Sequence, residues 1–195
     1  MNFYTSDMHL GHKNAVIFDH RPFKDIEEMD KALIDNWNAR ITDRDDVYIL
    51  GDFTYRSDKE PHQYLKRLKG RKHLIIGNHD QATLKDVKTK DYLWSIEKMM
   101  HITDYIDGKP VHIHLSHFPI AEWNGYHRGS WHIYGHIHDE RGPVHEFMHS
   151  RTRALNAGCM INGYMPVTLK ELIANNERFW LEGLEKLEDF DWEGK

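Results

Sequence analysis

The sequence predicts an α/β fold in which a mixed sheet, or two sheets, carries helices on the outside. Short β-like runs recur along the chain, and each of them ends in a cluster of polar residues. Helical patterns separate the first three runs, whereas a hairpin signal appears later. Alternation of strands and helices favours parallel pairing, and a hairpin adds antiparallel pairing, so both kinds of pairing are expected.

The first half of the chain predicts three strands and two helices. The strands are expected at Asn2 to Ser6, Val47 to Leu50 and His73 to Ile76. Apolar residues spaced by three to four predict an amphipathic helix, and they are Ile26, Met29, Leu33, Trp37 and Ile41. A second helix is expected from Asp58 to Leu68, because Gly70 then favours a helix end.

The second half of the chain predicts a hairpin and a further strand. Asp107-Gly108 separates two alternating runs, Ile102 to Ile106 and Val111 to Leu115, and this pair favours a tight turn between antiparallel strands. The further strand is expected at Trp131 to Tyr134.

The last helix is expected to begin at a capping box formed by Thr168 and Glu171 and to continue to about Leu187. Two alternatives stay open for its apolar face, which either packs in the core or forms a homodimer. The acidic end from Glu182 to Glu193 is interpreted as a solvated face and a fraying tail.

Composition limits the class of protein. A chain of 195 residues predicts one domain over residues 1–195. Lys and Arg number 26 and Asp and Glu 31, a net charge of −5, which argues against a surface that follows a long nucleic acid. Cys159 is the single cysteine, and neither a signal peptide nor an apolar segment long enough for a membrane is present, so a cytoplasmic protein is expected.

Histidine is unusually frequent, with 16 residues against 13 glycines, and several histidines stand directly after predicted strands. The polar residues after these strands are Asp7, His9, Asp52, Asn78, His117, His136 and His138. Ligands of α/β proteins gather at the carboxyl ends of strands. Asp7 and His9 are two positions apart, as are His136 and His138, so in an extended segment each pair points to one side.

Seven such residues are too many for one tetrahedral zinc ion and suit two metal ions that share a ligand. Imidazoles and oxygens without a thiolate favour two divalent ions, Mn²⁺ first, with Fe, Zn²⁺ or Ni²⁺ as alternatives. Two such ions carry a charge of about +4, which Asp7 and Asp52 only half neutralise, so the site is expected to attract a phosphate.

The order of these blocks resembles the calcineurin-like metallophosphoesterase family, in particular its small bacterial and phage-type phosphoesterases. The blocks are Asp7-x-His9, Gly51-Asp52, Gly77-Asn78-His79-Asp80, His117 and Gly135-His136-x-His138. The resemblance implies two mixed sheets packed face to face with helices on both outer sides, a four-layer α/β/β/α sandwich. It also implies one metal on Asp7, His9, Asp52 and His138, and the other on Asn78, His117, His136 and the shared Asp52.

The same resemblance implies that His79 assists the leaving group and that Asp80 orients the His79 imidazole. The function it predicts is hydrolysis of a phosphate monoester or diester, of a small molecule or a nucleotide, through a hydroxide that bridges two metals. Two alternatives are a nuclease that acts on nucleic acid and a metal-binding scaffold without catalysis.

Substrate contacts are expected from residues near the ligands. His12 either contacts phosphate or supports the first metal, and Arg21 is a weaker candidate for phosphate contact. The loop of residues 118–131 is expected to lie over the metals, where Trp123, His127 and Arg128 either contact the substrate or cover the site.

Two further histidine patterns are interpreted as structural. His112 and His114 alternate with apolar residues of a strand and are expected to be packed or solvated. The segment His145 to His149 matches the zinc-protease pattern His-Glu-x-x-His. That chemistry needs a helix, for which the sequence after Gly142-Pro143 leaves little room, so the match is interpreted as accidental.

Overall fold

A computed structural model describes residues 1–188 of the chain, which carry eight strands in two four-stranded sheets. The strands are β1 (Asn2–Thr5), β2 (Asp46–Ile49), β3 (Arg71–Ile75), β4 (Leu93–Glu97), β5 (Met99–Ile106), β6 (Lys109–Ser116), β7 (Trp131–Tyr134) and β8 (Ala154–Asn156). The first sheet has the order β1-β2-β3-β4 and is parallel throughout. The second has the order β5-β6-β7-β8, with an antiparallel β5-β6 pair and parallel pairs after it.

Helices and short 3₁₀ turns connect the strands. The helices are α1 (Ala15–Phe18), α2 (Ile26–Arg40), α3 (Pro61–Leu65), α4 (Gln81–Lys85), α5 (Pro143–His149) and α6 (Leu169–Glu188). The 3₁₀ turns are Val87–Asp91 and Tyr126–Arg128. Within residues 1–188, no helix combines the length and the apolar character that crossing a lipid bilayer requires.

The two sheets pack face to face, as predicted, but only the second is mixed, whereas the first is parallel. Alternate residues of one strand point to opposite faces, so Val47 packs toward α2 while Tyr48 packs toward the second sheet. The core between the sheets contains Leu50 and Ile75 from the first sheet with Leu115 and Ile133 from the second. Burial of these side chains on both faces of the parallel strands explains why their sequences are apolar runs.

Helices cover the outer faces. On the first sheet, α2 buries Met29, Leu33 and Trp37 against the strands. Its first turn is stabilised by Asp25, whose side chain accepts a hydrogen bond from the Glu28 amide at 2.9 Å. On the second sheet, Met148 of α5 packs against Tyr134 of β7.

Several sequence predictions are confirmed and others need correction. The hairpin and the capping box are present, since the Thr168 amide donates to Glu171 Oε2 at 2.8 Å. The helix expected from Asp58 to Leu68 is shorter, because Pro61 begins it and it ends at Leu65. Strand β4 is additional, and the part of the predicted acidic tail after Glu188 lies outside the described residues.

Candidate metal centre

The loops after five strands bring the predicted ligands to one end of the two sheets. Asp7 and His9 follow β1, Asp52 follows β2, and Asn78 follows β3 in the first sheet. His117 follows β6 in the second sheet, and the residues after β7 are His136 and His138. Both sheets therefore contribute side chains to one site.

One group of side chains consists of Asp7, His9 and His138. The Nε2 atoms of His9 and His138 lie 3.2 Å apart, and His138 Nε2 lies 3.7 Å from Asp7 Oδ1. Asp7 is fully buried and His9 is nearly so. These atoms converge on one point that a single cation could occupy.

A second group consists of Asp7, Asp52 and His117. His117 Nε2 lies 2.8 Å from Asn78 Oδ1 and 3.7 Å from Asp52 Oδ2. Asp52 Oδ2 is also 3.7 Å from His9 Nε2, so this carboxylate lies between the two groups. Both groups also include Asp7, which is the alternative for the shared position.

His136 is placed differently from the other six predicted ligands. Its backbone amide donates to Asp7 Oδ2 at 3.0 Å, while its side chain is exposed. The imidazole lies beside His117, with 5.2 Å between ring centroids. The ring therefore borders the second group from the solvent side.

The hydrogen bonds on the far side of the rings fit a pair of cations. His117 Nδ1 donates to Leu50 O at 2.7 Å, and this hydrogen bond orients the ring with Nε2 toward the site. His138 Nδ1 likewise lies 3.3 Å from Asp19 Oδ1. Imidazole nitrogens and carboxylate and amide oxygens that converge in this way are the donor set of a metal ion.

The backbone at the site is held in an uncommon conformation. Nine non-glycine residues among those described have a positive φ, and five are predicted ligands: Asp7, His9, Asp52, His136 and His138, with φ between 49° and 73°. Such left-handed residues cost free energy and cluster at functional sites. This corrects one expectation, because a left-handed turn, and not an extended segment, directs both members of each pair into the site.

Burial sets the protonation of the ligands. It lowers the pKa of His9 to about 2, so this imidazole is neutral and available as a ligand. Burial also raises the pKa of Asp7, the cost of placing a carboxylate away from water. For His138, burial opposes the charged form, but Asp19 and Asp7 outweigh burial and raise its pKa.

Asp80 has a different role from the predicted one. Its buried carboxylate accepts hydrogen bonds from the backbone amides of Asp52 at 2.9 Å, Phe53 at 3.0 Å and Gly77 at 2.8 Å. The carboxylate that the resemblance assigns to orienting the His79 imidazole is therefore bound to these three amides, and it fixes the loops that carry Asp52 and Asn78. The His79 amide itself donates to Asp52 Oδ1 at 2.8 Å.

Arg21 also needs correction as a phosphate contact. The side chain is buried, and its guanidinium donates to Asp7 O and Met8 O, each at 2.9 Å, and to Asp19. These partners place Arg21 beneath the loop that carries Asp7, where it fixes the backbone. Together with His138, Arg21 lowers the pKa of Asp19 to about 2, although burial of that carboxyl acts in the opposite direction.

Beyond Pro119, the loop of residues 118–131 leaves the site instead of covering it. Trp123 is buried, with its indole Nε1 donating to Ser130 O at 3.1 Å and its ring 5.1 Å from that of His132. His127 is exposed near Glu122. Arg128 lines a cavity beside the start of β6, at the end of the strand opposite to His117. Because β6 and β7 are parallel, the chain between them must return from the end of β6 to the start of β7.

Three residues at the site have no signal in the sequence patterns: Asp19, Tyr55 and Phe118. The Tyr55 ring lies 3.9 Å from that of His79 and 4.7 Å from that of His12, so His12 stays beside the first group. The Phe118 ring lies 4.5 Å from that of His136, and half of its surface is exposed. Phe118 directly follows a ligand, whereas the other two occupy irregular segments without periodicity.

The remaining histidine patterns lie away from the site. A helix does form at Pro143–His149, contrary to the sequence expectation, but His149 stacks on Trp180 at 3.7 Å and His145 lies 5.4 Å from the same indole. Neither belongs to a metal-binding group among residues 1–188. His114 is buried on β6 and His112 is exposed, as expected of packed or solvated strand residues.

Comparisons with known proteins find relatives that match most of the chain. An uncharacterized protein of Methanocaldococcus jannaschii is 30% identical over 173 residues, which cover 88% of each chain. The gene 66 protein of Mycobacterium phage L5 is 30% identical over 179 residues, covering 80% of this chain and 84% of the relative. A solved structure, a protein of unknown function from Aquifex aeolicus, has a TM-score of 0.66 and 25% identity, covering 88% of this chain and 96% of that chain.

The family-level comparison is the most direct. The sequence model of the calcineurin-like phosphoesterases matches residues 3–107, more than half of the chain. The matched range contains Asp7, His9, Asp52 and Asn78, and the histidines after β6 and β7 continue the site beyond it. This chain therefore belongs to the calcineurin-like phosphoesterase family.

Proposed function

We propose that the protein hydrolyses a phosphate monoester or diester of a small molecule or nucleotide with the help of two divalent metal ions. One observation carries the proposal: the ligand atoms of buried carboxylates and imidazoles from both sheets lie within 4.8 Å of one another, on backbone in left-handed conformations. Such a donor set binds divalent metal ions. Its position at the carboxyl ends of the strands leaves the exposed side open to a substrate.

The proposed ligands divide into two sets that share Asp52. Asp7, His9 and His138 hold one ion, and Asn78, His117 and His136 hold the other. When bound, such a pair of ions supplies a water activated at neutral pH and neutralises charge on the phosphoryl oxygens. Two carboxylates do not cancel the charge of two divalent ions, which favours an anionic substrate.

His79 is proposed to give a proton to the leaving oxygen. Its side chain is half-buried beside Tyr55, at the side of the site where His9 lies, with 5.6 Å between the His79 and His9 ring centroids. Hydrolysis forms a bond from the oxygen of water to phosphorus and breaks the bond to the ester oxygen. That ester oxygen needs a proton as it departs, and a neighbouring imidazolium is a suitable donor.

The test compares an activated aryl phosphodiester with the matching monoester, using protein stripped of metal and then supplied with Mn²⁺, Fe²⁺, Zn²⁺ or Ni²⁺. We expect metal-dependent turnover that is lost in Asp52→Asn, since that change weakens both proposed sets. Asp43→Asn, at an exposed carboxyl in the turn before β2, is the matched control and retains turnover.

Two outcomes would overturn the proposal. Metal bound at two per chain without turnover of any ester favours a non-catalytic scaffold. Metal-dependent cleavage of labelled single-stranded DNA at low salt, with both aryl esters left intact, favours a nuclease.

A further inference from the structure

A groove opens directly from the second proposed ligand set. It has a volume of about 470 Å³ and begins at His136. Its walls are mostly apolar and come from Phe118, Pro119, Ile137, Pro143 and Val144. This volume lies within the range of small-molecule sites, which run from about 300 to 1,000 Å³. We refer to it as the Phe118 groove.

The apolar walls of the Phe118 groove are open to water. Phe118 is 49% exposed and Val144 is 50% exposed. Val144 belongs to α5, the helix of the His-Glu-x-x-His segment, so this helix supplies a groove wall and not a metal site. Exposed apolar side chains that line a concave surface beside a polar centre are typical of a ligand site.

The charge of the groove limits its occupant. Among the described residues that line it, Glu140 is the only carboxylate and neither Lys nor Arg is present. A second phosphate or a nucleic-acid backbone in the groove would meet Glu140 without a fixed cation to balance its charge. The groove therefore fits an uncharged organic group.

The two aromatic side chains at the site lie at its two ends. Tyr55 contacts the rings of His79 and His12, on the side of His9. Phe118 contacts the rings of His117 and His136. A phosphate placed between them with its leaving oxygen toward His79 would direct any other ester group toward the Phe118 groove.

We propose that the Phe118 groove binds the organic group that a phosphodiester retains after hydrolysis, and that this group is uncharged and apolar, such as an aryl ring. The inference rests on the phosphoesterase activity proposed above and assigns the substrate class as an apolar phosphodiester. Water adds its oxygen to phosphorus, the bond to the leaving oxygen breaks, and that oxygen takes a proton. The products are an alcohol and a phosphomonoester that still occupies the groove.

The experiment compares two diesters with the same nitrophenyl leaving group, one retaining a phenyl group and the other a methyl group. We expect kcat/KM for the phenyl ester to exceed that for the methyl ester by about 10-fold or more, since an apolar pocket discriminates by this amount. Val144→Asp should abolish most of this ratio. Asp is favourable in the first turn of a helix, so the variant is expected to fold.

Val87→Asp is the matched control, because Val87 is exposed at a surface outside the groove and its substitution should leave the ratio unchanged. Binding gives a second measurement without turnover. By calorimetry, phenylphosphonate should bind the Mn²⁺-loaded native protein about 10-fold more tightly than methylphosphonate, and Val144→Asp should remove the difference.

The outcomes separate the two proposals. Equal kcat/KM for the two diesters, or a ratio that Val144→Asp leaves unchanged, overturns the groove assignment while the phosphoesterase activity stands. Turnover of neither diester overturns the diester assignment, and it overturns the proposed activity as well if the matching monoester is also left intact. In that case equal binding of the two phosphonates also overturns the groove, and tighter binding of phenylphosphonate still supports it.

Discussion

The position of His79 favours proton donation over metal binding. Its backbone amide donates to Asp52 Oδ1, while its ring lies beside that of Tyr55. For His79→Ala we expect turnover of an ester with a poor leaving group to fall by about 10²- to 10⁴-fold, because the leaving oxygen then lacks its proton donor. A nitrophenolate leaving group needs little assistance, so its ester should lose much less activity.

Kinetics on a series of aryl esters tests this expectation, with metal content measured in parallel. His127→Ala removes an exposed histidine outside the ligand groups and is the matched control. An equal loss of activity for good and poor leaving groups would contradict the proton-donor role of His79.

His132 links residue chemistry to stability. Burial lowers its pKa to about 4, because Trp123 covers the ring, and this effect outweighs the hydrogen bond that Nδ1 donates to His114 O, which raises the pKa. In the unfolded chain the same imidazole titrates near its ordinary value of 6.5. The unfolded state therefore binds the proton first, and the stabilisation is complete above pH 6.5 and declines as the pH falls toward 4.

The expected loss is at most about 3 kcal/mol of unfolding free energy, from about 1.36 kcal/mol per pH unit. Urea unfolding between pH 7.5 and 4 measures it. His132→Gln keeps polar atoms without titrating. Because this variant lacks the proton that His132 takes up on unfolding, its unfolding free energy should decline less over this range. If the unfolding free energy declines with pH in the same way in both proteins, His132 is not responsible for the decline.

At this scale the sequence identifies the metal-ligand candidates because each stands in a short block directly after a strand. It does not identify Asp19, whose partner His138 comes from the other sheet. It also misassigns Arg21 and Asp80, because residue type alone does not distinguish a side chain that contacts substrate from one that holds a loop. Both of these side chains bind backbone atoms that only the folded chain brings near.

Among the elements, the turns after the strands determine the spacing of the ligands. A Cβ added at Gly77 would meet the Asp52 carboxylate and amide. Gly77→Ala should therefore displace Asp52, weaken metal binding and lower the unfolding free energy by about 1–3 kcal/mol, as overpacking does.

Metal titration and urea unfolding measure both effects of Gly77→Ala. Gly142→Ala is the control, because a Cβ there meets no atom within 4 Å. Native metal affinity in Gly77→Ala would show that the loop after β3 moves without affecting Asp52.

Periodicity predicted long elements well and short ones poorly. The apolar stripe from Ile26 to Ile41 matches α2 closely, and its N-cap is local in sequence. Strand β8 and helix α5 have three and seven residues, too few for a periodic pattern, and both depend on packing against neighbouring elements. The predicted position of the loop of residues 118–131 is wrong because the path of this loop depends on the order of strands in the second sheet.

For the whole molecule, the division of ligands between two sheets couples metal binding to folding. Ligands bound only in the folded state stabilise it by about 2.7 kcal/mol at 100 times the dissociation constant. For a chain of this length, this corresponds to an increase in Tm of about 5–10 °C. We expect Mn²⁺ to raise Tm by this amount in the stripped protein and to leave Asp52→Asn nearly unchanged.

Calorimetric scans with and without Mn²⁺ measure this shift, and Asp43→Asn again serves as the control. A shift of the same size in Asp52→Asn would place the stabilising cation outside the proposed centre.

The hairpin turn at Asp107-Gly108 is a position at which a cut would divide the ligands between two fragments of the chain. The turn lies between β5 and β6, and a Cβ at Gly108 would meet no atom within 4 Å. A cut there leaves Asp7, His9, Asp52 and Asn78 on one fragment and the three histidines after β6 and β7 on the other. Neither fragment holds a complete ligand set, so cation uptake by a mixture of the two would report their reassembly.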